Sequence, residues 1–156
     1  MKLLIILTLF SLQAFAFDGL VTRVSDGDTL TVTNEKSVDE TIRISKIDTP
    51  ELKHFKWGYQ PYASEARTSL LNLCAGKIAT IVRKSTDRYG RTSANVSCQG
   101  YDVATWQLNN GFAWPYHYNT PKLYKNMALT AKEKNLGLWA LENPVDPYFW
   151  RKLGMH

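Results

Sequence analysis

Apolar and polar positions change period several times along the chain, and each change predicts an element. Leu20, Val21 and Val24 open a strand-like stretch, and Ser25-Asp26-Gly27-Asp28 reads as a turn. Leu30 and Val32 then alternate with Thr29, Thr31 and Thr33. After a polar loop from Asn34 to Glu40, Ile42 and Ile44 alternate with Thr41, Arg43 and Ser45, which sends Arg43 to the face opposite the two isoleucines. Residues 61–75 switch to helical spacing through Ala63, Ala66, Leu70 and Leu73, with Gly76 as a stop. Residues 77–83 and 92–98 read as two strands joined by a polar turn. A helix is expected from Asp102 to Asn110, ended by Gly111. A last one runs from the Thr120-Pro121 cap to about Asn135, with Tyr124, Met127, Ala128 and Ala131 on one face.

Five strands, an intervening helix and two closing helices predict a mainly β, α+β domain: a five-stranded Greek-key barrel of the OB type with three α-helices. The domain is expected over residues 17–142, with a tail over 143–156. The first sixteen residues, MKLLIILTLFSLQAFA, stand apart. A basic Lys2, an apolar run from Leu3 to Leu12 and the small-x-small Ala14-Phe15-Ala16 make a secretory signal, cut after Ala16. A buried N-terminal helix is the alternative. The run is too short for a membrane span, and the absence of a Cys at the cut argues against a lipid anchor. A signal of this kind marks export without separating periplasm from extracellular medium.

Export changes how Cys74 and Cys98 are read. An even pair in an oxidising compartment favours a disulfide, and pairing the two strands about their turn brings Cys98 opposite roughly residue 76, close to Cys74. Buried free thiols are the alternative; two cysteines so far apart do not suggest a zinc site. The formal charge is +5, and without Lys2 the balance is 18 basic to 14 acidic side chains. A basic exported protein suits a polyanionic partner, although many are basic for solubility alone.

The candidate chemistry is that of a phosphodiester. Asp28 and Asp48 are short carboxylates suited to a hard, oxygen-seeking cation such as Ca²⁺, and Thr49 can add its backbone carbonyl. Read alone, Asp-Gly-Asp is commoner as a hairpin turn than as a ligand pair. Pro50 fixes the backbone so that Glu51 can share a cavity with Asp48, where a water-directing carboxylate is wanted; a solvated loop acid is the plainer alternative. Arg43 and Arg91 carry the planar fork that matches phosphate, or else make structural salt bridges. Tyr89, Trp114, Tyr116 and Tyr118 can stack on bases. His54 and His117 read as surface residues. The GxSxG, HExxH and phosphate-loop patterns are all missing.

In order and spacing, VSDGDTL at 24–30, IRI at 42–44, IDTPEL at 47–52, TDRYGR at 86–91, GFA at 111–113 and LGLW at 136–139 resemble the staphylococcal nuclease family. The resemblance implies the barrel with three helices and a Ca²⁺-dependent nuclease that cuts DNA and RNA to 3′-phosphate ends. It implies that Asp28 and Asp48 are calcium carboxylates, Thr49 a carbonyl ligand and Asp26 an acid just outside. It further implies that Glu51 activates or positions water and that Arg43 and Arg91 clamp the phosphate. Tyr89 would contact the terminal phosphate, Tyr116 the nucleotide pocket, and Trp139 would be the buried C-terminal tryptophan. The cysteine pair departs from the family prototype. Trp57 and Tyr59 lie in a loop where members differ, and the tail has no clear counterpart. A monomeric exported nuclease is therefore expected; a non-catalytic nucleic-acid-binding barrel is the rival, and a nuclease-like scaffold in a toxin or surface protein a third possibility.

Overall fold

Strand β1 (Ala16–Asp26), β2 (Thr29–Asn34) and β3 (Asp39–Ile44) form an antiparallel meander that pairs Val21 with Val32 and Leu30 with Ile42. A two-residue β4 (Ile47–Asp48) follows, then helix α1 (Ala63–Cys74) and strands β5 (Ile78–Thr86) and β6 (Thr92–Cys98). β1 is long enough to serve two partners. Ala16 to Leu20 pair with β5 and Gly19 to Asp26 with β2, and register shifts after Val21 and Val24 bend the strand. Parallel pairing of β3 with β6, Ile42 opposite Thr92, closes these strands into a five-stranded barrel. The computed structural model describes residues 16–53, 56 and 58–153, so the expected signal segment up to residue 15, together with His54 and Trp57, lies outside the described residues.

Outside the barrel, β7 (Tyr101–Asp102) turns back to pair antiparallel with the end of β6, and β8 (Trp114–Pro115) pairs with β4 so that Asp48 stands opposite Trp114. The helices α2 (Val103–Asn109), α3 (Lys122–Glu133), a 3-10 turn (Gly137–Ala140) and α4 (Pro147–Trp150) complete the chain. Among the described residues none of these helices is long and apolar enough to cross a membrane.

The alternation read from the sequence fills the barrel: Leu30, Val32, Ile42, Ile44, Ile81 and Val96 are all fully buried. α1 adds Leu70 and Leu73, and α2 adds Val103 and Leu108; α3 contributes Ala128 and Ala131, with Tyr124 and Met127 partly buried beside them, as its spacing predicted. GFA and LGLW meet at a backbone crossing. A Cβ on Gly111 would lie 2.1 Å from the Leu136 carbonyl oxygen, and one on Gly137 would lie 2.3 Å from that of Gly111. Only glycine allows that approach, which seats Leu138 and Trp139 in the core.

The five-stranded barrel with three longer α-helices stands as expected, and among the described residues the tail adds the four-residue α4. Two details differ. Pro121 rather than Thr120 is the cap of α3; the Thr120 hydroxyl instead donates to the Tyr116 carbonyl at 2.6 Å and closes the aromatic loop. Cys74 and Cys98 are joined as a disulfide with Cα atoms 5.5 Å apart, but Cys98 pairs with Ala79 rather than residue 76. The reason is that β5 runs on to Thr86, which moves the turn towards Tyr89.

Candidate active site

The Asp-Gly-Asp turn between β1 and β2 is pressed into the structure rather than left at the surface. Asp26 Oδ1 accepts the Asp28 N–H at 3.1 Å, which tightens the turn. A Cβ on Gly27 would lie 2.7 Å from Ala66 Cβ and 2.9 Å from Thr49 Cβ, so only glycine lets the turn touch α1 and the 48–49 segment together. From α2 the fully buried Gln107 donates Nε2 to the carbonyls of Gly27 at 2.7 Å and Ala66 at 2.9 Å. Asp28 is thereby carried inside at 5% exposure, where Oδ2 accepts the Thr49 N–H at 2.9 Å and Oδ1 accepts the Thr29 hydroxyl at 3.1 Å.

Arg43 and Asp48 arrive from the other side. A left-handed turn at Lys46 (φ 72°) reverses the chain after β3, and the β4–β8 pairing fixes Asp48 at 2% exposure. Arg43 Nη1 donates to the carbonyls of Ile44 at 2.6 Å and Ile47 at 3.0 Å. Its Nη2 lies 2.9 Å from Asp48 Oδ1 and 3.1 Å from Asp28 Oδ2. Two carboxylates from separate loops thus converge on one cationic nitrogen. Burial pushes Asp28 up to about 6 even against the pull of Arg43. Burial also works against the charge on Arg43, but Asp28 and Asp48 outweigh it and hold the guanidinium protonated.

Gln60 positions the third carboxylate. Its side-chain carbonyl accepts the Glu51 N–H at 3.0 Å, and its own N–H donates to the Glu51 carbonyl at 2.8 Å. Burial raises the Glu51 carboxyl, and Arg151 opposes that rise. Arg151 comes from the tail, just past α4. Its Nη2 meets Asp48 Oδ2 at 2.7 Å, and its Nη1 meets Asp48 Oδ1 at 3.2 Å and Glu51 Oε1 at 2.6 Å.

Residues 41–141 match the family described as staphylococcal nuclease homologue. The chain belongs to that family. It is 34% identical over 151 residues, 94% of each chain, to an Escherichia coli O157:H7 protein named an uncharacterized endonuclease. A Haemophilus influenzae protein of the same name is 33% identical over 133 residues, 85% of this chain and 71% of the relative. A protein of Arabidopsis thaliana named a staphylococcal-like nuclease is 38% identical over 112 residues, 71% of this chain but only 33% of that longer relative.

The staphylococcal nuclease match spans Arg43, Asp48, Thr49, Glu51, Tyr89, Arg91, Tyr116 and Tyr118 but stops short of Asp28 and Arg151. The structure brings Asp28 to the cluster through the buried turn and Arg151 through the tail. Arg91 and Tyr89 stand apart on the 87–91 turn. Arg91 Nε donates to Asp87 Oδ2 at 2.7 Å, and the exposed Tyr89 ring lies 4.9 Å from the Arg88 guanidinium and 5.6 Å from that of Arg91. The turn leads into β6, whose Thr92 and Ser93 pair with Ile42 and Arg43. Tyr116 and Tyr118 reach the same rim through β8: the Tyr116 N–H donates to the Lys46 carbonyl at 2.8 Å, and the two rings meet edge to face at 5.8 Å. His117 is exposed, as expected, yet Tyr148 stacks on it at 3.8 Å.

Sequence reasoning singled out neither Gln60, Gln107 nor Arg151. A lone glutamine carries no periodic signal, and Arg151 sits in a stretch without a recognised counterpart. The sequence reading did not predict α4, although Asp146 and Pro147 start it: Asp146 Oδ1 accepts the Tyr148 N–H at 2.8 Å, an N-cap with proline at the first helical position. Among the described residues no group of three or more His, Cys, Asp or Glu side chains forms a metal nest. Asp28 and Asp48 nevertheless fit a hard cation. Both are buried oxygen donors, and both already lie within 3.1 Å of a positive charge.

Proposed function

We propose that this staphylococcal nuclease homologue is an exported, calcium-dependent nuclease that hydrolyses the phosphodiesters of DNA and RNA and leaves 3′-phosphate ends. The observation that carries it is the convergence of Asp28, Asp48 and Arg43 beside Glu51 on one rim of the barrel. The leader-like first sixteen residues and the Cys74–Cys98 disulfide support export, since such bonds persist in oxidising compartments.

Asp28 and Asp48, with the Thr49 carbonyl, would hold the calcium ion. When bound, it supplies a fixed positive charge against the phosphate oxygens. Arg43, anchored by two backbone carbonyls, sets its guanidinium on the same phosphate. Glu51, whose carboxyl is raised by burial, orients a water and takes its proton as the oxygen attacks phosphorus. The bond from phosphorus to the 5′-oxygen breaks, the phosphate stays on the 3′ side, and the 5′-oxygen leaves as an alkoxide that takes a proton from solvent water. Arg91 steadies the charge that develops on that leaving oxygen. Tyr89, Tyr116 and Tyr118 offer exposed rings to the flanking nucleotides.

Digestion of plasmid DNA and of RNA, in calcium and then in excess chelator, tests this directly. The wild type is expected to cut both in calcium only, and Glu51→Gln to lose about 100-fold or more of the rate. Undiminished cutting in chelator would remove calcium from the scheme. Intact nucleic acid in every condition, from folded protein, would favour the binding barrel.

A further inference from the structure

The tail is built into the candidate active site. Gln60, which holds Glu51 by two backbone bonds, also donates Nε2 to the Val145 carbonyl at 2.6 Å. Tyr148 stacks on His117 with an interplanar angle of 7°, and its hydroxyl lies 3.0 Å from that of Tyr118. The Lys152 ammonium donates to the same Tyr148 hydroxyl. The Gln60–Val145 and His117–Tyr148 contacts deliver Arg151 to Asp48 and Glu51, and Lys152 stays on the exposed side of the tail.

Asp48 is consequently crowded with donors. Arg151 takes one N–H···O contact on each Asp48 oxygen, and Arg43 takes a further one on Oδ1. A hard cation binds carboxylate oxygens at about 2.3–2.6 Å and does not tolerate a guanidinium on the same lone pairs. Asp48 is buried, whereas the Arg151 side chain is 41% exposed, so Arg151 is the partner that can leave. Arg43 is pinned by the Ile44 and Ile47 carbonyls and stays.

We propose that Arg151 is a positioning residue of the cation site. It holds Asp48 and Glu51 in place and neutralised while the site is empty, and a divalent cation must displace it from Asp48 in order to bind. The inference rests on the calcium role proposed for Asp28 and Asp48. It extends the site beyond residue 141, where the family match ends. The tail thereby makes cation uptake an exchange of one positive charge for another, and not the filling of a bare acidic hole.

Calorimetric titration with calcium alone, without nucleic acid, tests it on chelator-stripped full-length protein. Arg151→Gln and a chain ended at Trp150 both lose the fork; Lys152→Gln removes one charge from the same tail and keeps the fork. Loss of a charge-assisted contact of this kind is expected to tighten calcium binding about tenfold or more in the first two, and to leave Lys152→Gln within about twofold of wild type. Folding is checked by circular dichroism; should Arg151→Gln not fold, the shortened chain decides. Unchanged or weaker binding in the folded Arg151 variants overturns the exchange, as does an equal gain in Lys152→Gln, which would mean a general charge effect. If no variant takes up calcium, the cation role of Asp28 and Asp48 fails and the exchange falls with it. If wild type and Lys152→Gln bind poorly while both Arg151 variants bind well, the exchange stands.

Discussion

Two ion-pair clusters on this barrel use the same groups and behave in opposite ways. On the wall, Glu40 of β3 accepts Nε of Arg83 at 3.2 Å, a second contact from Nη2, and the hydroxyl of Thr92. Three strands are joined by one carboxylate, half in water, and its hydrogen bond with Arg83 holds Glu40 below its ordinary range. At the rim, Asp28, Asp48 and Glu51 face Arg43 and Arg151, yet burial drives Asp28 and Glu51 upward. The wall pair is content with its partners; Asp28 and Glu51 are held against their preference. Perturbation of that kind gathers at functional sites, and the contrast sets the rim apart from the wall where distances alone would not.

The contrast breaks most visibly at Arg43. Removing it leaves Asp28 without its ion pair and Asp48 with Arg151 alone, inside a water-poor site. Arg43→Ala is expected to lose about 3–5 kcal/mol of folding stability in chelator, the usual cost of orphaning buried charges, and to recover part of it in calcium. Its cleavage rate should fall about 100-fold or more. Urea unfolding with and without calcium reads the first; a loss below about 1 kcal/mol would put Arg43 in the same class as the wall pair.

Asp28 gives the next largest effect and fixes its sign. Its folded value of about 6 lies above the ordinary 3.8, so the folded protein holds the proton more tightly than the unfolded chain. That contribution is fully present below pH 3.8 and is lost as pH rises through about 6. The gap between the unfolded and folded carboxyl corresponds to roughly 3 kcal/mol at most, and that stability disappears over the same window. Asp28→Asn has no such proton to lose. In chelator it should therefore be the more stable protein at pH 7 and lose its advantage by pH 4, as read by urea unfolding at both. Equal slopes for the two proteins would mean that Arg43 already compensates Asp28 fully.

Much of this was legible in the chain, and the limits have physical causes. Alternation located β1 to β3, β5 and β6 because each strand buries one face, and helical spacing located α1 to α3 for the same reason. IDTPEL and VSDGDTL carried Asp48, Glu51 and Asp28. The β4–β8 ribbon was not legible, since two residues have no period and the partner of Asp48 lies far along the chain at Trp114. Thr120-Pro121 misplaced a cap by one residue, because the Thr120 hydroxyl found a better acceptor in the Tyr116 carbonyl. Arg151 was invisible for a different reason: its place depends on a tail docked through Gln60 and His117, and no local pattern encodes where a tail lands.

The smallest effect is on the wall, and its size is what marks the pair as structural. Glu40 is depressed, so its contribution is present above the ordinary value of 4.5 and fades as pH falls through the lower folded value. The Arg83 side chain is 41% exposed, so solvent screens the pair. Glu40→Gln should cost no more than about 0.5–1 kcal/mol at pH 7, less in about 0.5 M salt, and progressively less as pH falls below the ordinary carboxyl range. Calcium should leave that difference untouched, because the wall has no second cation to exchange with. A Glu40→Gln variant that changed with calcium, or a loss as large as that of Arg43→Ala, would show that the two clusters are coupled through β3, which carries both Glu40 and Arg43.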